Sequence, residues 1–221
     1  MDGELLTFAL LTLSSLIIIV NPLGATLIYV SLTTTLDRVH KDIIARDSCR
    51  FSLIVLIAVA IAGAFVLQLF GISLAAFRIA GGILLFGIGM EMVYAKTSRT
   101  KLTATEKYES REQDDIALMP IAIPMIAGPG AITTTIVLMN EAGSKGGNET
   151  IAAYAIVIVS ILISIMITYF MMKNSDYIMT KVGQREYRAI NRLMGMLLIA
   201  IAVQFVINGV RVAFPLLAGG A

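Results

Sequence analysis

Charged residues are missing from most of six long apolar stretches, and the lengths of those stretches predict the architecture. Residues 5–35 and 51–70 carry no charge, and 72–95 carries only Arg78 and Glu91. Residues 116–140 are uncharged and hold three prolines, Pro120, Pro124 and Pro129; 151–172 and 193–210 follow. A hydrocarbon core of about 30 Å needs about 20 residues of helix at 1.5 Å rise per residue. Backbone groups in lipid must pair within their own segment, so helices are the default. The period-two alternation of a membrane barrel is absent. The expected fold is an all-α membrane protein with six transmembrane helices.

Two of these runs are interrupted where a helix should be uniform. The first contains Asn21-Pro22-Leu23-Gly24 and the fourth contains Gly128-Pro129-Gly130. Proline lacks an N–H and clashes with the preceding turn, so it stops a helix. Proline is also favoured at the first position of a new helix, and asparagine is a good N-cap. Helices 1 and 4 are therefore expected to be discontinuous. A half-helix N-terminus offers free N–H donors and about half a positive charge, which suits a carboxylate. The carbonyls ending the preceding half suit an ammonium group. Small residues leave room for only a small solute. The candidate substrate-binding residues are Asn21, Pro22, Gly24, Ala25, Thr26, Gly128, Pro129, Gly130, Ala131 and Thr133. The plainer reading is a pair of proline kinks packed against small residues.

The halves also resemble each other. "VNPLGATLIYVSLT" (20–33) lies on "AGPGAITTTIVLMN" (127–140), which sets Pro22 on Pro129 and Thr26 on Thr133. "FRIAGGILL" (77–85) lies on "NRLMGMLLI" (191–199), which sets Arg78 on Arg192 and Gly81 on Gly195. Three helices per half force the second half to enter the membrane from the other side. The expected plan is a 3+3 inverted-topology repeat: residues 1–95, a cytoplasmic linker at 96–115, and residues 116–221.

Charge adds the orientation. Thirteen of the 17 basic residues fall in the loops after helices 1, 3 and 5. The positive-inside bias puts those loops in the cytoplasm and both termini outside a cell membrane. The start "MDGELL" is acidic where a secretory signal is basic, so helix 1 is read as retained. Composition agrees with a membrane protein: 57% hydrophobic and 14% charged, against about a quarter charged in soluble domains. One cysteine, Cys49, and one histidine, His40, give no basis for a metal centre. No cofactor, nucleic-acid partner or enzymatic site is expected, because no nucleophile–base pair or nucleotide loop is present. Arg78, Glu91 and Arg192 are the candidates for coupling or gating. Snorkelling for the two arginines, and an ion pair of Glu91 with Lys96, are the plainer readings. Gly81, Gly82, Gly87 and Gly89 read as helix-packing positions.

The motifs "NPLG", "FRIAGGILLF", "IAGPGAIT" and "NRLMGMLLIAIAVQFVINGV" together resemble the MarC family of membrane proteins over nearly the whole chain. The family name suggests multiple antibiotic resistance. The resemblance implies transport of small neutral amino acids such as glycine and alanine, since the family is similar to archaeal transporters of that kind and is placed near lysine-exporter carriers. Family side-chain roles carry over to Asn21, Pro22, Gly24, Gly128, Pro129, Gly130 and Thr133. A secondary carrier for such a substrate is the resulting expectation, with oligomeric state and coupling ion left open. An exporter of another metabolite or drug, and a non-transporting scaffold, are the rival expectations.

Overall fold

The computed structural model describes residues 3–34, 36–94, 117–181 and 184–214. Within them the chain is helical and has no strand. The segments are α1 (Gly3–Val20), α2 (Pro22–Leu32), α3 (Arg38–Leu69), α4 (Leu74–Tyr94), an irregular wide-wound segment (Ala117–Ile126), α5 (Pro129–Gly143), α6 (Gly147–Lys173), α7 (Ser175–Lys181) and α8 (Gln184–Ala213). Five spans are long and apolar enough to cross a bilayer: Gly3–Leu32, Arg38–Leu69, Leu74–Tyr94, Glu149–Lys173 and Ala189–Ala213. The wide-wound segment and α5 make a sixth if taken as one span bent by 52°. The expected linker at 96–115, and Lys96 as a partner for Glu91, lie outside the described residues.

Helix ends follow from local chemistry. Asp37 caps α3 by accepting from the His40 backbone N–H at 3.1 Å, and its carboxylate also contacts the His40 ring. Gly71, at φ +66°, supplies the left-handed residue of the tight link into α4. The 32 residues of α3 give a helix of about 48 Å, longer than the hydrocarbon core. Its first four turns carry Arg38, Lys41, Arg46 and Arg50, which mark one end of the bundle as basic. The α3–α4 and α5–α6 links lie at the far end.

Packing is set by small residues. α4 and α8 form the most extensive pair and run antiparallel. A Cβ on Gly82 would lie 2.7 Å from the Ala202 carbonyl, and one on Gly195 would lie 2.9 Å from the Gly89 carbonyl. Gly209 meets the Ala75 carbonyl in the same way, at 2.9 Å. Ala75, Gly82 and Gly89 recur every seven residues on α4, as do Gly195, Ala202 and Gly209 on α8, so the small residues form one seam. Without a hydrophobic drive between helices in lipid, such backbone approach supplies the dispersion contacts. The rest of the core includes Leu16 and Val20 of α1, Ile121 and Ile126 of the irregular segment, and Val157 and Ile161 of α6.

Two adjacent glycines of α4 face different neighbours. Gly81 faces α5: its Cβ would strike Thr133 Cγ2. Gly82 is the residue that meets α8, at Ala202 and Val206. Arg78 is buried and Arg192 is exposed, so the two arginines do different work.

Candidate functional site

The two proline interruptions differ. At the first, a single residue leaves the helical region: Asn21 has φ 49° and ψ 66°, the left-handed conformation that asparagine tolerates better than most residues. The ladder otherwise continues, with Asn21 N–H donating to the Ile17 carbonyl and Ala25 N–H to the Asn21 carbonyl, both at 3.0 Å. Asn21 Oδ1 accepts from Gly24 N–H at 3.2 Å and so caps α2. Gly24 is required beside it, because a Cβ there would sit 2.3 Å from Asn21 Nδ2. That amide nitrogen in turn lies 4.0 Å from Met92 Sδ of α4.

The second interruption is wider. Met119 and Ile123 have extended dihedrals inside the segment before it, and Ala127 N–H reaches back five residues to the Ala122 carbonyl at 2.9 Å. Gly128 starts α5 in an extended conformation with no side chain to cap the helix. Pro129 has no N–H, so the first-turn donors are Gly130 and Ala131, and no side chain among the described residues caps them. A Cβ on Gly128 would lie 2.2 Å from the Pro124 carbonyl. Gly130 packs against Leu85 of α4 and Ile19 of α1, which brings this start beside the first interruption.

Of the predicted residues, Pro22, Gly24, Ala25, Thr26, Gly128, Gly130, Ala131 and Thr133 are buried, Asn21 is half-buried and Pro129 is exposed. The threonines bond locally: Thr26 Oγ1 donates to the Pro22 carbonyl at 2.7 Å, and Thr133 Oγ1 to the Pro129 carbonyl at 2.8 Å. Thr134 and Thr135, next along α5, are fully buried with hydroxyls that have no partner among the described residues. Ser52 of α3 reaches the irregular segment, with its hydroxyl 3.4 Å from the Ala122 carbonyl.

The gating candidates separate. Arg78, expected to snorkel, is 9% exposed and donates through Nη2 to Glu141 Oε1 at 2.7 Å. Sequence reading overlooked Glu141 because the apolar run ends at Asn140; α5 continues to Gly143 and carries the acid with it. Arg192 lies on an exposed face, and Glu91 is half-buried near the end of α4. An open-sided cleft of about 890 Å³, lined by Ile57, Ala60, Met139, Asn140 and Tyr154 among others, lies among α3, α5 and α6 and contains no interruption residue.

Comparison with known proteins agrees with the membrane architecture. The sequence profile described as "MarC family integral membrane protein" matches residues 6–214. A UPF0056 membrane protein of Methanocaldococcus jannaschii is 39% identical over 206 residues, covering 93% of this chain and 97% of the relative. UPF0056 membrane proteins of Bacillus subtilis and Escherichia coli are 36% and 31% identical, covering 92% and 89% of this chain and 94% and 89% of their own lengths. No solved structure matches.

Proposed function

This chain belongs to the MarC family of integral membrane proteins, and from that premise we propose that it is a secondary transporter of small neutral amino acids such as glycine and alanine. The solute would sit between the two proline-led half-helices. Its carboxylate would accept from the Gly130 and Ala131 N–H groups, the donors left uncapped at the start of α5. Asn21 already caps α2, so the anion falls to α5. The ammonium would turn to carbonyls deprived of partners by proline, such as that of Ile18, four residues before Pro22. Close packing of Gly130 against Ile19 and Leu85 favours a substrate with at most a small side chain.

The carrier would work as an inverted repeat, and reciprocal contacts support this. Gly82 meets Ala202 and Val206, while Gly195 meets Gly89 and Val93. A shift of 113 residues between α4 and α8 exchanges these two sets, as a two-fold axis requires. α3 and α6 match in burial at a shift of 112: Ala45, Ser48, Cys49, Ser52, Leu56 and Ala60 correspond to Val157, Ser160, Ile161, Ser164, Thr168 and Met172, all buried. Both carry the same internal bond, Ser52 Oγ to the Ser48 carbonyl and Ser164 Oγ to the Ser160 carbonyl, each at 2.8 Å. α1 packs on α6 as the irregular segment packs on α3. Alternating access would then move one half against the other about the shared site. The basic end would face the cytoplasm of a cell membrane.

The observation that carries the reading is the uncapped α5 start, packed beside the α1–α2 interruption. Counterflow of labelled glycine and alanine into liposomes holding the purified protein tests it. Saturable uptake that is lost in Gly130→Leu supports the reading. Uptake absent in the parent, or unchanged in Gly130→Leu, sinks it. Competition by unlabelled solutes separates this reading from export of another metabolite.

A further inference from the structure

The seam between α4 and α5 runs from the second interruption to the far end of the bundle. Leu85 meets Gly130, Gly81 meets Thr133 one turn on, and Arg78 meets Glu141 two turns from Leu85. Seven residues along α4 make this a line of contacts about 10 Å long. It is closely packed, since a Cβ on Gly81 would lie 1.9 Å from Thr133 Cγ2, and the Thr133 hydroxyl is a polar group within it. Its outer end is closed by an ion pair between the two halves.

The closure is costly in itself. Arg78 is nine-tenths buried, and only one of its donors is shown on Glu141; its Nε is buried with no partner among the described residues. A charge at this depth with an unmet donor calls for a functional reason. Packing does not supply one, since a long apolar side chain would fill the volume without desolvating a guanidinium. The two-fold related end has no such pair: the positions matching Arg78 and Glu141 are Asn191 and Thr34, neither ionisable. Lys145, the other nearby charge on α5 and its loop, lies with Nζ 5.2 Å from the Phe8 ring centre.

We infer that Arg78 is an outer subsite for the carboxylate of the solute, and that Glu141 occupies it in the closed state. A solute entering from the far end exchanges its carboxylate for that of Glu141 on the guanidinium. Arg78 keeps a carboxylate partner throughout, and its free Nε–H gives the incoming group a foothold before Glu141 leaves. Charge is conserved in the exchange. The seam then lies open to Gly130. This inference rests on the transport reading for the identity of the solute but not for the closure.

The test measures access rather than transport. Thr133→Cys in a Cys49→Ala background places a thiol on the seam, and a membrane-impermeant maleimide is added from the far side of oriented proteoliposomes. Labelling is expected to be slow with the parent pair and at least about tenfold faster in Glu141→Gln, a shift that the loss of one ion pair can supply. The swapped pair Arg78→Glu with Glu141→Arg should label slowly again. Glycine should speed labelling of the parent pair, whereas glycinamide, which lacks the carboxylate, should not. Equal rates in parent and Glu141→Gln, or equal effects of glycine and glycinamide, overturn the inference. If Glu141→Gln does not elute as a folded species, Arg78→Lys serves instead: it keeps the charge but loses the fork, and unchanged labelling with no loss of the glycine effect overturns the inference. Labelling that responds as expected while glycine counterflow is absent would leave the closure standing and remove the transport reading.

Discussion

Two glycines five residues apart on α4 should respond to alanine in opposite directions. A Cβ on Gly82 meets a backbone carbonyl at 2.7 Å, whereas Gly87 has nothing within 4 Å. Gly82→Ala must push α8 away and is expected to cost about 1–3 kcal/mol. Gly87→Ala is expected to be neutral or to gain up to about 1 kcal/mol from helix propensity. Thermal unfolding in one detergent compares them, and a lower Tm for Gly87→Ala than for Gly82→Ala would contradict this packing. Asn21 offers a second contrast. Its left-handed backbone suits glycine, so Asn21→Gly should lose mainly the cap, while Asn21→Ala adds about 1–2 kcal/mol of strain. Equal unfolding of the two variants would show that the backbone there relaxes. Composition alone picked out these glycines and this asparagine. It could not say which glycine faces which helix, because helix 3 carries glycine at 81, 82, 87 and 89 and thus on more than one side.

Helices and their ends were more legible than their contacts. Uncharged runs located the spans because lipid leaves helices as the only economical solution. The extent of α5 was missed by three residues, and with it Glu141, since one acid after an apolar run reads as the start of a loop. Two adjacent glycines, Gly81 and Gly82, leave open which of them faces α8, and only the contact of Gly82 with Ala202 decides between them. At the start of α3, Asp37 lies outside the spans, and its carboxyl is held below the ordinary 3.8 by hydrogen bonds from the His40 side chain and backbone. A lowered folded-state value means that the carboxylate contributes stability above pH 3.8, lost as pH falls below it. The difference in Tm between the parent and Asp37→Asn should therefore be constant near neutrality and shrink in acid below pH 3.8. A difference that grows on acidification would contradict the assignment.

Across the whole bundle, the proposed two-fold relation exchanges the α4 and α8 contacts, whereas the two interruptions are built differently. α2 begins with its own asparagine cap; α5 begins beside it with two donors that no side chain caps among the described residues. A matched pair of proline motifs in the sequence suggested equivalent roles, and only the side-chain geometry separates a self-satisfied start from an open one. The Arg78–Glu141 ion pair joins α4 to α5 at the far end of the bundle. The central claim is that a small amino acid carboxylate binds the open start of α5. Amide chemical shifts of ¹⁵N-labelled protein in detergent, followed during titration with glycine and in parallel with glycinamide, test it most directly. Saturable shifts centred on Gly130 and Ala131 with glycine but not with glycinamide are expected. Shifts that are absent from these two amides, or the same with both solutes, would contradict it.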